Sequence, residues 1–148
     1  MLLRSYRPSD LETLYQIDRA CFPPAVSYSR QELSEFITDQ KSETWVADED
    51  GKIVGFLVAD RRRALVIHII TIDVVAEWRR RGVGTLLMDA AESAARGQGS
   101  RLVYLETSAQ NVPAQRFYLQ RGYEKYKVIS RYYGNGDAAW VMVKYLDK

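Results

Sequence analysis

The stretch "EWRRRGVGTLL", Glu77 to Leu87, lies between a long apolar run and a long helical pattern. Arg79, Arg80 and Arg81 stand directly against Gly82-Val83-Gly84. A helix that starts straight out of a buried strand turns its unpaired N–H groups and the positive end of its dipole outward, which makes an anion site. Gly82 and Gly84 remove the Cβ atoms that would hold a phosphate off the backbone, and the arginines bring mobile positive charge. The plainer alternative is a glycine-eased connection with solvated arginines. A P-loop would need Lys-Ser or Lys-Thr after the second glycine, and a dinucleotide fingerprint a third glycine near Leu87; the sequence has neither.

Upstream, Ala64 to Val75 is apolar almost throughout and rich in β-branched residues, predicting a central strand covered on both faces. Downstream, Leu86, Leu87, Ala90, Ala91 and Ala94 share a stripe that predicts a helix from Gly82 to Gln98, ended by Gly97 and Gly99. Earlier in the chain, Leu2–Tyr6 reads as a first strand. Two capping boxes, Ser9/Glu12 and Ser29/Glu32, open two helices separated by the proline-broken "CFPPAVSYS". "TWVA" and "KIVGFLVA" flank an acidic turn at residues 48–51 and predict a hairpin. "RLVYLET" reads as a buried strand, and Asn111 with Pro113 caps a helix that Arg121-Gly122 closes. "YEKYKVIS" and "AAWVMVKYL" supply two last strands around the loop "RYYGNGD". The expected fold is α/β (α+β): about seven strands in one mixed, mostly antiparallel sheet flanked by about four helices, in a single domain over 1–148.

Bulk properties narrow the function. The chain has 148 residues, one Cys and one His, which leaves no disulfide framework and no thiolate–imidazole metal cluster, so no metal is expected. A net charge of +2 is too small to argue for nucleic acid by itself, and Arg61–Arg63 reads as a solvated turn. No apolar run is long enough to span a bilayer and no secretory pattern opens the chain, so the default expectation is cytoplasmic, with no membrane and no nucleic-acid partner.

"IDVVAEWRRRGVGTLLMDAAE" resembles the central motif of the GCN5-related N-acetyltransferases (GNAT family), with Arg79, Gly82 and Gly84 meeting its Arg/Gln-x-x-Gly-x-Gly/Ala pattern. "NVPAQRFYLQRGY" is similar to that family's second cofactor motif through Asn111, Ala114, Phe117, Tyr118, Gly122 and Tyr123. The resemblance covers essentially the whole chain. It implies acetyl-CoA as co-substrate, with its pyrophosphate on the amides of Arg80, Arg81, Gly82, Val83, Gly84 and Thr85 beside Arg79. It further implies that the pantetheine arm lies along Ile72, Asp73 and Val74, and that Asn111 adds a contact. Ala76 replaces a proline common after this strand.

Acetyl transfer to an amine requires a neutral amine, a stabilised oxyanion and a proton for the departing thiolate. Backbone N–H groups at the end of the 64–75 strand, Val74 above all, suit the oxyanion. Tyr118 stands seven residues, about two helical turns, after Asn111, so it shares the cofactor face and suits the acid. Glu106 is the one acidic residue in "RLVYLET", on the face of Leu102 and Tyr104, and the resemblance implies that it deprotonates the amine. The packing alternatives are a salt-bridged glutamate and a helix-packing tyrosine. His68 reads as a satisfied sheet histidine, and Cys21, Trp45, Trp78 and Trp140 as packing.

"SRYYGNGDAAWVMVK" is similar to the ribosomal-protein alanine N-acetyltransferases, which implies a loop with Tyr132 and Tyr133 over the acceptor's first residues. The expected acceptor is therefore the N-terminal α-amine of a protein or peptide. "CFPPAVSYS" resembles their substrate loop but lacks the tryptophan often found after its prolines. The rivals are a small-amine (polyamine or aminoglycoside-like) or lysine acetyltransferase, a non-catalytic acyl-CoA-binding regulator, and, most weakly, a nucleic-acid module resting on the two arginine triplets.

Overall fold

The computed structural model describes residues 1–146. They run β1 (Leu2–Ser5), α1 (Leu11–Cys21), α2 (Arg30–Thr38), β2 (Ser42–Glu49), β3 (Lys52–Asp60), β4 (Val66–Val74), α3 (Val83–Gly97), β5 (Leu102–Ser108), α4 (Val112–Gln120), β6 (Glu124–Ile129) and β7 (Ala139–Tyr145). Among the described residues seven strands form one sheet in the order β1-β2-β3-β4-β5-β7-β6. Every neighbouring pair is antiparallel except β4 and β5. The expected element order and mostly antiparallel sheet are therefore found.

Local sequence explains most of the boundaries. Asp50 and Gly51 both take positive φ, which gives the β2–β3 hairpin a two-residue turn whose twist matches its strands. Ser29 Oγ accepts from Glu32 N while Glu32 returns a bond to Ser29 N, so the second capping box forms as expected. The first does not. Glu12 is drawn away into a paired contact with Arg30 at 2.7 and 3.0 Å, and α1 is entered through a short 3-10 turn at Pro8–Asp10. There the buried Asp10 carboxylate accepts from Arg7 N and from both ends of the Arg4 guanidinium. A long-range ion pair has displaced the local cap.

Helices cover the sheet unevenly. The larger core lies under α3 and α4, with Leu57, Ile67, Ile69, Leu87, Met88, Leu105, Tyr118 and Met142 at its centre. A smaller one lies under α1 and α2, around Leu14, Leu33, Val46, Phe56 and Val58. Across the larger core, buried Glu92 of α3 accepts from Tyr123 Oη at 2.9 Å and Lys144 Nζ at 2.8 Å and contacts Arg121 at 3.2 Å, which ties α3 to the end of α4 and to β7. No helix among the described residues is long and apolar enough to cross a membrane.

Both faces of the 64–75 run are covered, as expected, although the strand changes face midway. Register against β3 skips a residue at Ile70, where Val58 opposes Thr71 and Ala59 opposes Ile69. This bulge switches the faces: Ile67 and Ile69 belong to the α3-side core, and so do Ile72 and Val74 beyond it. His68 and Ile70 point the other way and are half-buried, Ile70 against the α1–α2 core.

Candidate active site

β4 pairs with β5 only through Val66↔Leu102, Ile67↔Val103 and His68↔Tyr104. Beyond that point the two strands run on, to Val74 and Ser108, without a ladder between them. Val75 N donates to Val54 O at 2.9 Å, which marks that opposed pair as a hydrogen-bonded one. By the alternation of an antiparallel ladder the pairs at 55/74 and 57/72 are not, and the backbone N–H and C=O groups of Ile72 and Val74 face the gap beside β5. Asp73, between them, spends its backbone on β3. Of the three residues expected along a pantetheine arm, two thus offer main-chain groups.

The arginine–glycine turn follows the Val74 end of this gap. Arg80 has φ 62° and Gly82 φ 86°, so left-handed residues alternate with ordinary ones just before α3. This alternation aims successive N–H groups to one side and makes an anion-binding concavity at the helix N-terminus. Holding Arg80 in this region costs about 1 kcal/mol or more, a strain that suits a functional turn. The two glycines do different jobs. Gly82 supplies the left-handed φ, and nothing lies within 4 Å of a Cβ built on it. A Cβ on Gly84 would lie 3.3 Å from the Phe117 ring, so Gly84 lets α4 approach α3.

The three arginines also separate. Arg79 turns back, its Nε donating to Val74 O at 3.1 Å and its Nη2 reaching Cys21 Sγ at 3.6 Å. Arg81 stacks on Trp78 at 4.8 Å. The expected mobile charge is thus held in part: Arg79 braces the end of β4 rather than the turn. The Cys21 thiol donates to the same Val74 oxygen at 3.4 Å, and burial lifts its pKa to about 11. It stays a thiol and packs, as expected.

Tyr118 is almost fully buried behind the gap, edge-on to Phe117 and Tyr123. Burial first, then the neighbouring Asp73, raises its phenol well above the ordinary value, so it keeps its proton. Asn111 caps α4, its Oδ1 accepting from Ala114 N at 3.3 Å, which leaves its amide N–H groups to offer elsewhere.

The acceptor end gathers around Glu106. Its Oε1 lies 2.7 Å from His68 Nε2, and the His68 ring stacks flat on Tyr104 at 4.3 Å and 1°. Burial raises the phenols of Tyr28, Tyr104, Tyr132 and Tyr133, and the charge of Glu106 acts on all four. Tyr132 and Tyr133 come from the β6–β7 loop, where both backbone N–H groups bond to Asp137 O at 3.0 and 3.1 Å. Tyr28 comes from the loop after α1, and its hydroxyl donates to the bulge carbonyl of Ile70 at 3.4 Å.

A sequence model of the Acetyltransferase (GNAT) family matches residues 11–123. The chain belongs to the GNAT acetyltransferase family. Among curated relatives it is similar to an N-alpha-acetyltransferase of Sulfurisphaera tokodaii, 27% identical over 95% of this chain and 90% of the relative. Among solved structures it is similar to Ard1 from Thermoplasma volcanium, with TM-score 0.88 and 27% identity over 97% of this chain and 96% of that one. It is also similar to Arabidopsis thaliana NAA60 in complex with a bisubstrate analogue, with TM-score 0.85 and 25% identity over 97% of each chain.

The GNAT framework explains why residues so far apart in sequence meet. Glu106, Tyr132 and Tyr133 are close enough for the charge of the first to act on the phenols of the other two. His68, read as a satisfied sheet histidine, is one, and what the sequence did not show is that its partner is Glu106. A signal was available: two parallel strands joined by a helical crossover put residues near the starts of "VIHII" and "LVYLE" side by side.

Proposed function

We propose that this acetyltransferase uses acetyl-CoA to acetylate the N-terminal α-amine of a protein or peptide. The observation that carries the reading is the Glu106–His68 pair at 2.7 Å, ringed by the phenols of Tyr28, Tyr104, Tyr132 and Tyr133. Phenol hydroxyls hydrogen-bond the amides of an extended chain end as donors or acceptors. The similarity to proteins named N-alpha-acetyltransferase supports the same reading.

Each part of the site then has a task. The amides of residues 80–85 hold the diphosphate at the α3 N-terminus, and the main-chain groups of Ile72 and Val74 hold the arm. Acetyl-CoA supplies the activated acyl carbon. Val74 N–H faces the gap and stabilises the carbonyl oxygen as negative charge builds on it. Glu106, fixed by His68, takes the proton of the incoming amine, directly or through a water. Tyr118 keeps its phenol proton until the thiolate departs and then donates it.

Proton energetics favour the α-amine. Its reference pKa is near ~8 against ~10.4 for lysine, so at neutral pH roughly one α-amine in ten is already neutral and under about one lysine in a thousand. The test is acetyl-CoA consumption with three acceptor classes: peptides with free N-termini, blocked peptides bearing lysine, and polyamines. Fast turnover of the first class alone is expected, with small first residues such as alanine or serine favoured. Preferred turnover of polyamines would replace the reading with the small-amine one.

A further inference from the structure

Two carboxyls lie buried where the acceptor-side loop meets β4. Asp18 of α1 is fully buried and Asp73 of β4 is 1% exposed. They lie within hydrogen-bonding reach of each other, and Thr71 Oγ1 stands between them, bonded to Asp73 Oδ1 and 3.5 Å from Asp18 Oδ1. Asp18 Oδ2 accepts the backbone N–H of Tyr28 at 2.8 Å. A continuous chain of contacts thus runs from the loop at residues 22–29 to the strand end that carries Val74.

That chain holds together only with an extra proton. Asp73 Oδ2 is buried and no donor reaches it. Two ionised carboxylates in contact away from water repel strongly, and such a pair keeps one proton between them. A proton on Asp73 Oδ2 turns the orphaned acceptor into a donor toward Asp18 and removes both difficulties. Burial first, then the charge of Asp18, raises Asp73 well above the ordinary carboxyl value. The other groups that face the pair are Cys21 on α1, Tyr28 in the loop, Arg79 after β4 and Tyr118 on α4; of these Arg79 alone carries a full charge at neutral pH.

We propose that Asp73 is a positioning residue for the acceptor: by sharing one proton with Asp18 it latches the loop that carries Tyr28 onto the end of β4. The link to the acceptor rests on the function proposed above; the latch itself does not. The native state holds a proton that the unfolded chain has lost above the ordinary carboxyl range, so this contact weakens as pH rises through the raised native value. An asparagine in place of Asp73 has the same shape and a permanent donor, and escapes that loss.

The test compares wild type with Asp73→Asn, Asp73→Ala and Thr71→Val by amide hydrogen exchange and by peptide kinetics across pH. The alanine and valine variants should exchange amides 25–29 about tenfold faster or more, with α3 as protected as before. Their peptide KM should rise about fivefold, more than kcat falls, and the asparagine variant should restore both readouts. In wild type, loop protection should fall as pH rises, and in Asp73→Asn it should not. Unchanged loop protection in a folded Asp73→Ala protein would remove the latch, and a loosened loop with unchanged peptide KM would remove its role in positioning. If wild type acetylates no peptide, the function reading fails, and the exchange data still decide the latch.

Discussion

The two sides of the β4–β5 gap are built from different material. On the proposed donor side the chain offers its backbone: a left-handed Arg80 and Gly82, the N-terminus of α3, the main-chain groups of Ile72 and the N–H of Val74. On the acceptor side it works with side chains brought from β4, β5 and two loops: His68, Glu106, Tyr28, Tyr132 and Tyr133. A diphosphate presents the same charge in every turnover, so a fixed nest of amides suffices for it. An amine must be recognised and deprotonated, which needs groups that titrate and hydroxyls that adapt. Damage on one side should therefore leave a kinetic signature that damage on the other does not.

The largest expected effect is at the proposed base. Glu106→Gln should lower turnover by about 10²–10³-fold while acetyl-CoA affinity, read by calorimetry, barely moves. The loss should be greatest at low pH, where the neutral amine is scarcest. A matching loss of acetyl-CoA affinity would mean that the two sides are not separable.

Tyr118→Phe probes the residue between them. It should cost about 10²-fold in turnover, again with little change in acetyl-CoA affinity. Since burial and Asp73 raise this phenol, the wild-type rate should show no alkaline fall near the ordinary tyrosine value of ~10. Turnover within a factor of two of wild type would reduce Tyr118 to packing.

Gly84→Val should do the reverse and weaken acetyl-CoA binding at least tenfold, about 1.4 kcal/mol or more. Its route is the Phe117 ring, 3.3 Å from the added Cβ, so a paired Phe117→Leu change should recover part of the loss. Unchanged affinity in a folded variant would remove the turn from donor binding. His68→Phe is the smallest step. It keeps the stack on Tyr104 and loses the contact to Glu106, and turnover should fall about tenfold with the donor affinity intact.

How much of this the sequence made legible follows the same division. The donor turn is local: its arginines, glycines and helix start lie within a dozen residues, and Asn111 capping α4 is read from a four-residue pattern. What the local pattern missed was the work of each glycine, since Gly84 answers to Phe117, thirty-odd residues away. On the acceptor side, Glu106 stood out as the one acid in an apolar strand. His68 did not, because a nearly continuous apolar run conceals which face a residue takes, and the bulge at Ile70 switches that face midway. Ser9 and Glu12 failed as a cap for a related reason: Arg30, eighteen residues on, competes for the glutamate.

The measurement that bears most directly on the acceptor reading uses one peptide carrying both kinds of amine, a free N-terminus and an internal lysine, with the acetyl group located by mass spectrometry. The Glu106 site as read here puts the acetyl group on the α-amine, and Glu106→Gln should lower that product without moving acetylation to the lysine. An acetyl group found mainly on the lysine side chain of the unblocked peptide would contradict it.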